Sequence, residues 1–163
     1  MISVIWELKR NKCFINAGKE KFMYSEEAQL ELRMVIALSR TMQVINRKQS
    51  RLINEYGLTM PQFGVLEALY HKGPLCINDI IEKTLSTSGN MTVVIENLRK
   101  DGYIKKEKSG IDQRKYMISL TDKGTGIISR IFPFHLKNIG EIFSRYSVNE
   151  KEELLSLLEK FRK

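Results

Sequence analysis

Residues 85–124 read LSTSGNMTVVIENLRKDGYIKKEKSGIDQRKYMISLTDKG. Ser86, Thr87 and Ser88 offer hydroxyls able to cap a helix start, and Met91, Val94, Ile95 and Leu98 follow at the i, i+3, i+4, i+7 spacing of one buried face. The spacing predicts a helix from near Ser88 to Asp101 and Gly102. Gly102 suits the left-handed residue just past a helix end, and Arg99 and Lys100 complement the dipole of the last turn. At the helix start Ser88, Asn90 and Thr92 are short and polar, able to meet base edges and phosphates when a helix N-terminus enters the major groove.

A basic β-hairpin follows at once. Residues 103–108 partly alternate apolar with basic side chains, residues 109–112 supply turn chemistry, and residues 115–120 alternate Tyr116, Ile118 and Leu120 with Lys115, Met117 and Ser119. Asp112 and Arg114 stand two residues apart, a spacing that puts both on one strand face, where the carboxylate can brace the guanidinium. An arginine at the tip of a hairpin is shaped to enter a narrow minor groove, where the negative potential is strongest. The alternative is a solvated basic hairpin carrying an ordinary surface ion pair.

The segments Leu58-Thr59-x-x-Gln62, Ser88-Gly89-Asn90-Met91-Thr92 and Asp112-x-Arg114-x(5)-Leu120-Thr121-x-x-Gly124 resemble the MarR family of bacterial winged-helix transcriptional regulators. The similarity covers roughly residues 25–163, and the wing motif is its specific part. The resemblance implies a homodimer on a palindromic operator of double-stranded DNA, with recognition helices in successive major grooves and wings in the flanking minor grooves. It also implies, for many members, a repressor released by a small aromatic or oxidising effector.

Composition agrees with a nucleic-acid partner. The chain of 163 residues is long enough for one core and too short for two, and with 42% hydrophobic residues, 3 Pro and 10 Gly it is globular in character. Residues 99–123 hold eight basic and four acidic side chains, so half of the formal charge of +8 falls on one helix end and hairpin. Such concentration is the electrostatic footprint of a polyanion partner. No apolar run has the length of a membrane span, and Glu7, Lys9 and Arg10 interrupt the first residues before a signal-peptide core can form. A cytoplasmic location is the expectation.

Outside the decisive stretch the pattern is helical. Residues 25–54 carry Leu30, Met34, Ile36 or Ala37, Leu38, Met42, Ile45, Leu52 and Ile53 among charges, and Gly57 ends the run. Thr59 to Gln62 read as a capping box with Pro61 in the first turn, opening a helix that buries Phe63, Leu66 and Leu69 or Tyr70. Leu75 to Ile77 suit a short third strand for the wing sheet. Asn78 can cap a helix from Asp79 to Thr84, which with the helix at Ser88 makes a helix-turn-helix. Thr121 caps a long helix to about Tyr146, which Pro133 could kink, and Ser147 to Glu150 form another capping box before Leu154, Leu155, Leu158 and Phe161.

The expected architecture is therefore mainly α with a small β-wing. It comprises an extension at 1–22, a MarR-like domain at 23–163, a winged helix at about 56–122, and dimerisation helices at about 25–54 and 121–163. The terminal helices carry more apolar surface than one small domain needs, best buried against a second copy; the alternative is a monomer whose terminal helices pack on each other. The extension allows two readings, a natural start at Met23 or an ordered element packing on the dimer.

Chemistry-bearing residues are few. His71 and His135 have no cysteine or carboxylate at ligand spacing, Cys13 and Cys76 form no cluster, and the Gly124 and Gly18 segments lack phosphate-loop spacing. No metal, no cofactor and no enzyme activity are expected. His135 reads as a helix histidine or as part of an effector pocket, and Cys76 as an inert core residue. Oxidant-sensing relatives carry their reactive cysteine at a position that falls near Val35, so a thiol switch would have to use Cys13. The DNA-contacting set is Ser86, Thr87, Ser88, Gly89, Asn90, Met91, Thr92, Lys105, Lys106, Lys108, Asp112, Arg114 and Lys115. The reading from another class is a winged-helix protein-interaction module.

Overall fold

A computed structural model describes residues 14–17, 20–84, 88–108 and 116–162, with side chains from residue 24 onward except at 88–90 and 162. The chain divides into two compact units, Met1–Arg47 and Lys48–Lys163. In the first, strands β1 (Phe14–Ala17) and β2 (Glu20–Met23) pair antiparallel, and helix α1 (Glu26–Glu55) begins behind Ser25, whose hydroxyl accepts from the Ala28 amide at 3.2 Å. The strands fall within and just beyond the expected extension. Of the described residues of α1 only Ile53 is buried, so Leu30, Met34, Leu38 and Met42 leave their apolar faces open.

The second unit holds the core. Helix α2 (Met60–Lys72) starts with the expected capping box: the Thr59 hydroxyl accepts from the Gln62 amide, and the Gln62 Oε1 accepts from the Thr59 amide at 2.9 Å. Its buried side is Phe63, Val65, Leu66 and Leu69, while Tyr70 is exposed, which decides between the two alternatives. Strand β3 (Leu75–Cys76) runs straight into α3 (Ile77–Thr84). The helix thus begins two residues before the expected start, and Asn78 lies inside its first turn; Ile77 packs against the core, and that burial extends the helix backward.

Helix α4 (Ser88–Lys100) ends in a Schellman arrangement, the Tyr103 amide donating to Leu98 O and the Gly102 amide to Arg99 O, with Gly102 at φ 75°. Strands β4 (Ile104–Lys108) and β5 (Tyr116–Leu120) form an antiparallel hairpin, and β3 pairs with β5 to give the order β3-β5-β4. The expected third strand is present.

Helix α5 (Asp122–Ile142) continues through Pro133 and stops four residues short of the expected end, because Ser144 Oγ closes a turn on Glu141 O before the next cap. Helix α6 (Val148–Glu159) opens with the Ser147–Glu150 capping box, in which the Ser147 hydrogen bonds hold the Glu150 carboxyl below the usual carboxylate range. None of its residues is buried. Met91, Val94, Ile95 and Leu98 of α4 join Ile80, Ile104, Ile118, Ile127, Ile128 and Ile131 in one core, which fixes how α4 and the wing are presented.

Candidate nucleic-acid interface

Helices α3 and α4 form the helix-turn-helix, and burial on one side of α4 dictates what its other side shows. Met91 is 0% exposed, so the expectation that its side chain meets DNA is corrected: it plugs the core, and only its backbone stands at the helix start. Thr92 is exposed as expected. Beside it Val93 is also exposed, and Asn97, Arg99 and Lys100 continue the outer surface. The spacing of Met91, Val94, Ile95 and Leu98 already leaves Val93 off the buried face, but an apolar side chain there was not counted among the candidate DNA contacts, which were chosen mainly for polarity.

Arg99 donates to both carboxylate oxygens of Glu96, at 2.8 Å and 3.0 Å. The pair holds the Glu96 carboxyl below its usual range and raises the Arg99 guanidinium, so both stay charged at neutral pH. A Glu96–Arg99 ion pair therefore stands beside the outer face of α4.

The wing divides its lysines between two faces. Lys105 and Glu107 share one, with Lys105 Nζ 3.3 Å from Glu107 Oε1. Lys106 and Lys108 share the other, where Lys106 Nζ stands 4.5 Å from the centre of the Tyr116 ring and Lys108 pairs with Tyr116 in register. Sequence order grouped the three lysines as one attraction, whereas the pleat separates Lys105 from the other two.

The wing is bolted to the recognition helix at its base. Thr121 Oγ1 donates to Gly102 O at 2.7 Å and accepts from the Gly124 amide at 3.1 Å, while the Thr121 amide donates to Tyr103 O at 3.0 Å. Lys123 Nζ donates to Asp101 O at 2.6 Å and lies over the Tyr103 ring. The Leu-Thr-x-x-Gly motif is thus a joint among α4, the wing and α5. Ser86, Thr87, Asp112, Arg114 and Lys115 lie outside the described residues, as does Cys13. For Ser88, Gly89 and Asn90 the backbone, in the first turn of α4, is described.

Away from this surface, His135 of α5 is 5% exposed, its ring 4.7 Å from that of Phe63, and its Nδ1 has no hydrogen-bond partner. Burial pushes its pKa down, partly offset by the Glu67 charge. Cys76 is half-buried in β3. No helix among the described residues is long and apolar enough to cross a membrane.

A helix-turn-helix followed by a three-stranded wing defines a winged-helix DNA-binding protein. Residues 47–131 match the family described as transcriptional regulator SarA/Rot. The chain is 35% identical over 129 residues to the HTH-type transcriptional regulator MhqR of Bacillus subtilis, covering 79% of this chain and 89% of that one. Its fold is similar to that of Sco3205, a MarR family transcriptional regulator from Streptomyces coelicolor solved in complex with DNA, with a TM-score of 0.75, 19% identity, and 89% and 91% of the two chains covered. It is also similar to Bordetella bronchiseptica BpsR, whose DNA binding is regulated by 6-hydroxynicotinic acid, with a TM-score of 0.73, 24% identity, and 80% and 99% covered. The chain belongs to the MarR/SarA family of winged-helix transcriptional regulators, and it is a DNA-binding regulator and not an enzyme.

Proposed function

We propose that this regulator acts as a cytoplasmic homodimeric repressor on a palindromic operator. The observation that carries the reading is the presentation of α4: its apolar side is wholly consumed by the core, so its outer side and first turn are committed to a partner, next to a basic wing. In this reading Ser88, Gly89, Asn90 and Thr92 approach bases and phosphates in the major groove, and Ser86 and Thr87 lie on the adjacent backbone. Arg114, braced by Asp112, enters the minor groove. Lys106 and Lys108 supply attraction, as does Lys115, while Lys105 gives less because Glu107 shares its charge.

Dimerisation is supported by α6, none of whose residues is buried within its own chain and which exposes Leu154, Leu155 and Leu158, with Phe161 exposed just beyond its end. Contiguous apolar surface of this kind marks an association site.

The effector is proposed to be a small acidic or phenolic aromatic, as 6-hydroxynicotinic acid is for BpsR. A cleft of about 340 Å³ at α5 bears on it: Lys48, Arg51, Glu55, Asn138 and Glu141 line it, so two cations face two carboxylates, with Arg51 3.9 Å from Glu55, and Asn138 Oδ1 is buried without a hydrogen-bond partner. The unused acceptor suits the hydroxyl of a phenolic ring. A thiol switch at Cys13 is the competing signal.

The test is a mobility-shift titration of the full chain against the upstream region of its own gene. Binding to a palindrome there, lost in Arg114→Ala while the fold is kept, is the expected result. Failure to bind any duplex, with capture of an acidic protein surface instead, would replace this reading by a protein-interaction module.

A further inference from the structure

Val93 is 57% exposed in the middle of α4. With about 100° between successive residues, the direction opposite Met91, Val94, Ile95 and Leu98 carries Gly89, Val93, Glu96 and Lys100. Val93 therefore sits on the centre line of the outward face, and Thr92 and Asn97 lie on its flanks. A solvated valine there gains nothing from its own fold: it buries little area, and its β-branch makes it a poorer helix former than alanine. Its neighbours on the line sharpen the point. Gly89, one turn earlier, has no side chain to hold a groove away, and both carboxylate oxygens of Glu96 are engaged by Arg99.

Valine cannot hydrogen-bond to a base edge. The apolar group that a base presents in the major groove is the C5-methyl of thymine. We propose that Val93 reads a thymine in each half-site by packing against this methyl group, which makes it a specificity-determining residue at the centre of the recognition helix. The inference rests on placing α4 in the major groove.

Burial of one methyl group corresponds to about a fourfold change in affinity for each half-site. The experiment starts from a randomised duplex pool, from which the wild-type protein selects a consensus. Each symmetric pair of thymines in that consensus is then replaced by deoxyuridine, which removes only the methyl, and affinities are measured by fluorescence anisotropy at fixed salt for wild type and Val93→Ala. Thermal melting of Val93→Ala should match or slightly exceed wild type, since the residue is exposed and alanine favours helix. The expected result is one thymine pair whose replacement weakens wild type by about fourfold per half-site and leaves Val93→Ala unaffected. If Val93→Ala loses as much as wild type at every thymine, or binds the consensus as tightly as wild type, the assignment is overturned while the operator reading stands. If the pool yields no consensus at all, the operator reading falls and takes the assignment with it.

Discussion

The backbone carbonyl of Tyr103 occupies the place where a Cβ on Gly124 would stand, and Leu120 Cδ2 lies 3.2 Å from that same point. The glycine of the wing motif is therefore a contact residue, not a flexible one: it lets the first turn of α5 close onto the end of α4. Gly124→Ala is expected to cost about 1–3 kcal/mol by overpacking. Gly126, two residues on, faces open space, and Gly126→Ala should gain up to about 1 kcal/mol from helix propensity. Urea unfolding of the two variants separates contact from propensity, and equal effects would refute the distinction.

Thr121 caps α5 and at the same time grips the carbonyls of Gly102 and Tyr103. Thr59 caps α2 with Gln62 alone. Thr121→Ala should lower stability by about 2 kcal/mol and Thr59→Ala by about 1 kcal/mol. Chemical denaturation checks the order, and it is the difference between the two losses that reports the extra bonds.

His135 supplies a pH dependence whose sign is determined by burial. Its folded pKa lies below its unfolded value near 6.5, so the unfolded chain takes the proton more readily. Stability from this residue is complete above that unfolded value and declines as pH falls from it toward the depressed folded value. Glu67 of α2 moderates the loss, and Phe63 and Phe132 face the ring from α2 and α5. His135→Phe should flatten this part of the stability profile between pH 7 and 5, as measured by thermal melting across buffers. A variant with the wild-type slope would remove His135 as its source.

The Arg99 hydrogen bonds hold the Glu96 carboxyl below its usual range, and Glu96 stands on the outer side of α4. Glu96→Gln should strengthen non-specific duplex binding at low salt, since a repulsive charge leaves and Arg99 is released to a phosphate. Each phosphate newly neutralised steepens the slope of log affinity against log salt by about 0.9. Titrations at three salt concentrations measure it; an unchanged slope would mean that Arg99 does not reach the backbone.

Leu155 and Leu158 of α6 are exposed, and the helix is capped by its own Ser147 and Glu150. Leu155→Glu with Leu158→Glu is therefore expected to leave helix content intact and to shift the native mass from dimer to monomer. Sedimentation or light scattering decides. A dimer that survives both charges would place the association surface elsewhere.

The elements were legible because they rest on local rules. Hydroxyls at Thr59, Thr121 and Ser147, glycines at 57 and 102, and apolar spacing from Met91 to Leu98 each act within a few residues, and the structure follows them closely. The departures occur where distant packing intervenes. Ile77 draws α3 back over Asn78, and Tyr70 yields its place in the core to Leu69. Met91 was assigned both to the core and to DNA, and burial assigned its side chain to the core.

Sequence by itself determined the class of partner. A polar helix start, a basic hairpin and the Asp-x-Arg to Leu-Thr-x-x-Gly run need no tertiary contact to be recognised, because period, charge and capping chemistry are written in neighbouring residues. Only the tertiary structure decided the positions that local spacing left open, Met91 between core and DNA and Tyr70 against Leu69. Burial in the shared core confirms the phase of α4 that the spacing of Met91, Val94, Ile95 and Leu98 implies, with Met91 inward and Val93 outward. The pairing of β4 with β5 likewise puts Lys106 and Lys108 on one face and Lys105 on the other. Direction is a property of burial, and burial depends on residues far away in the chain.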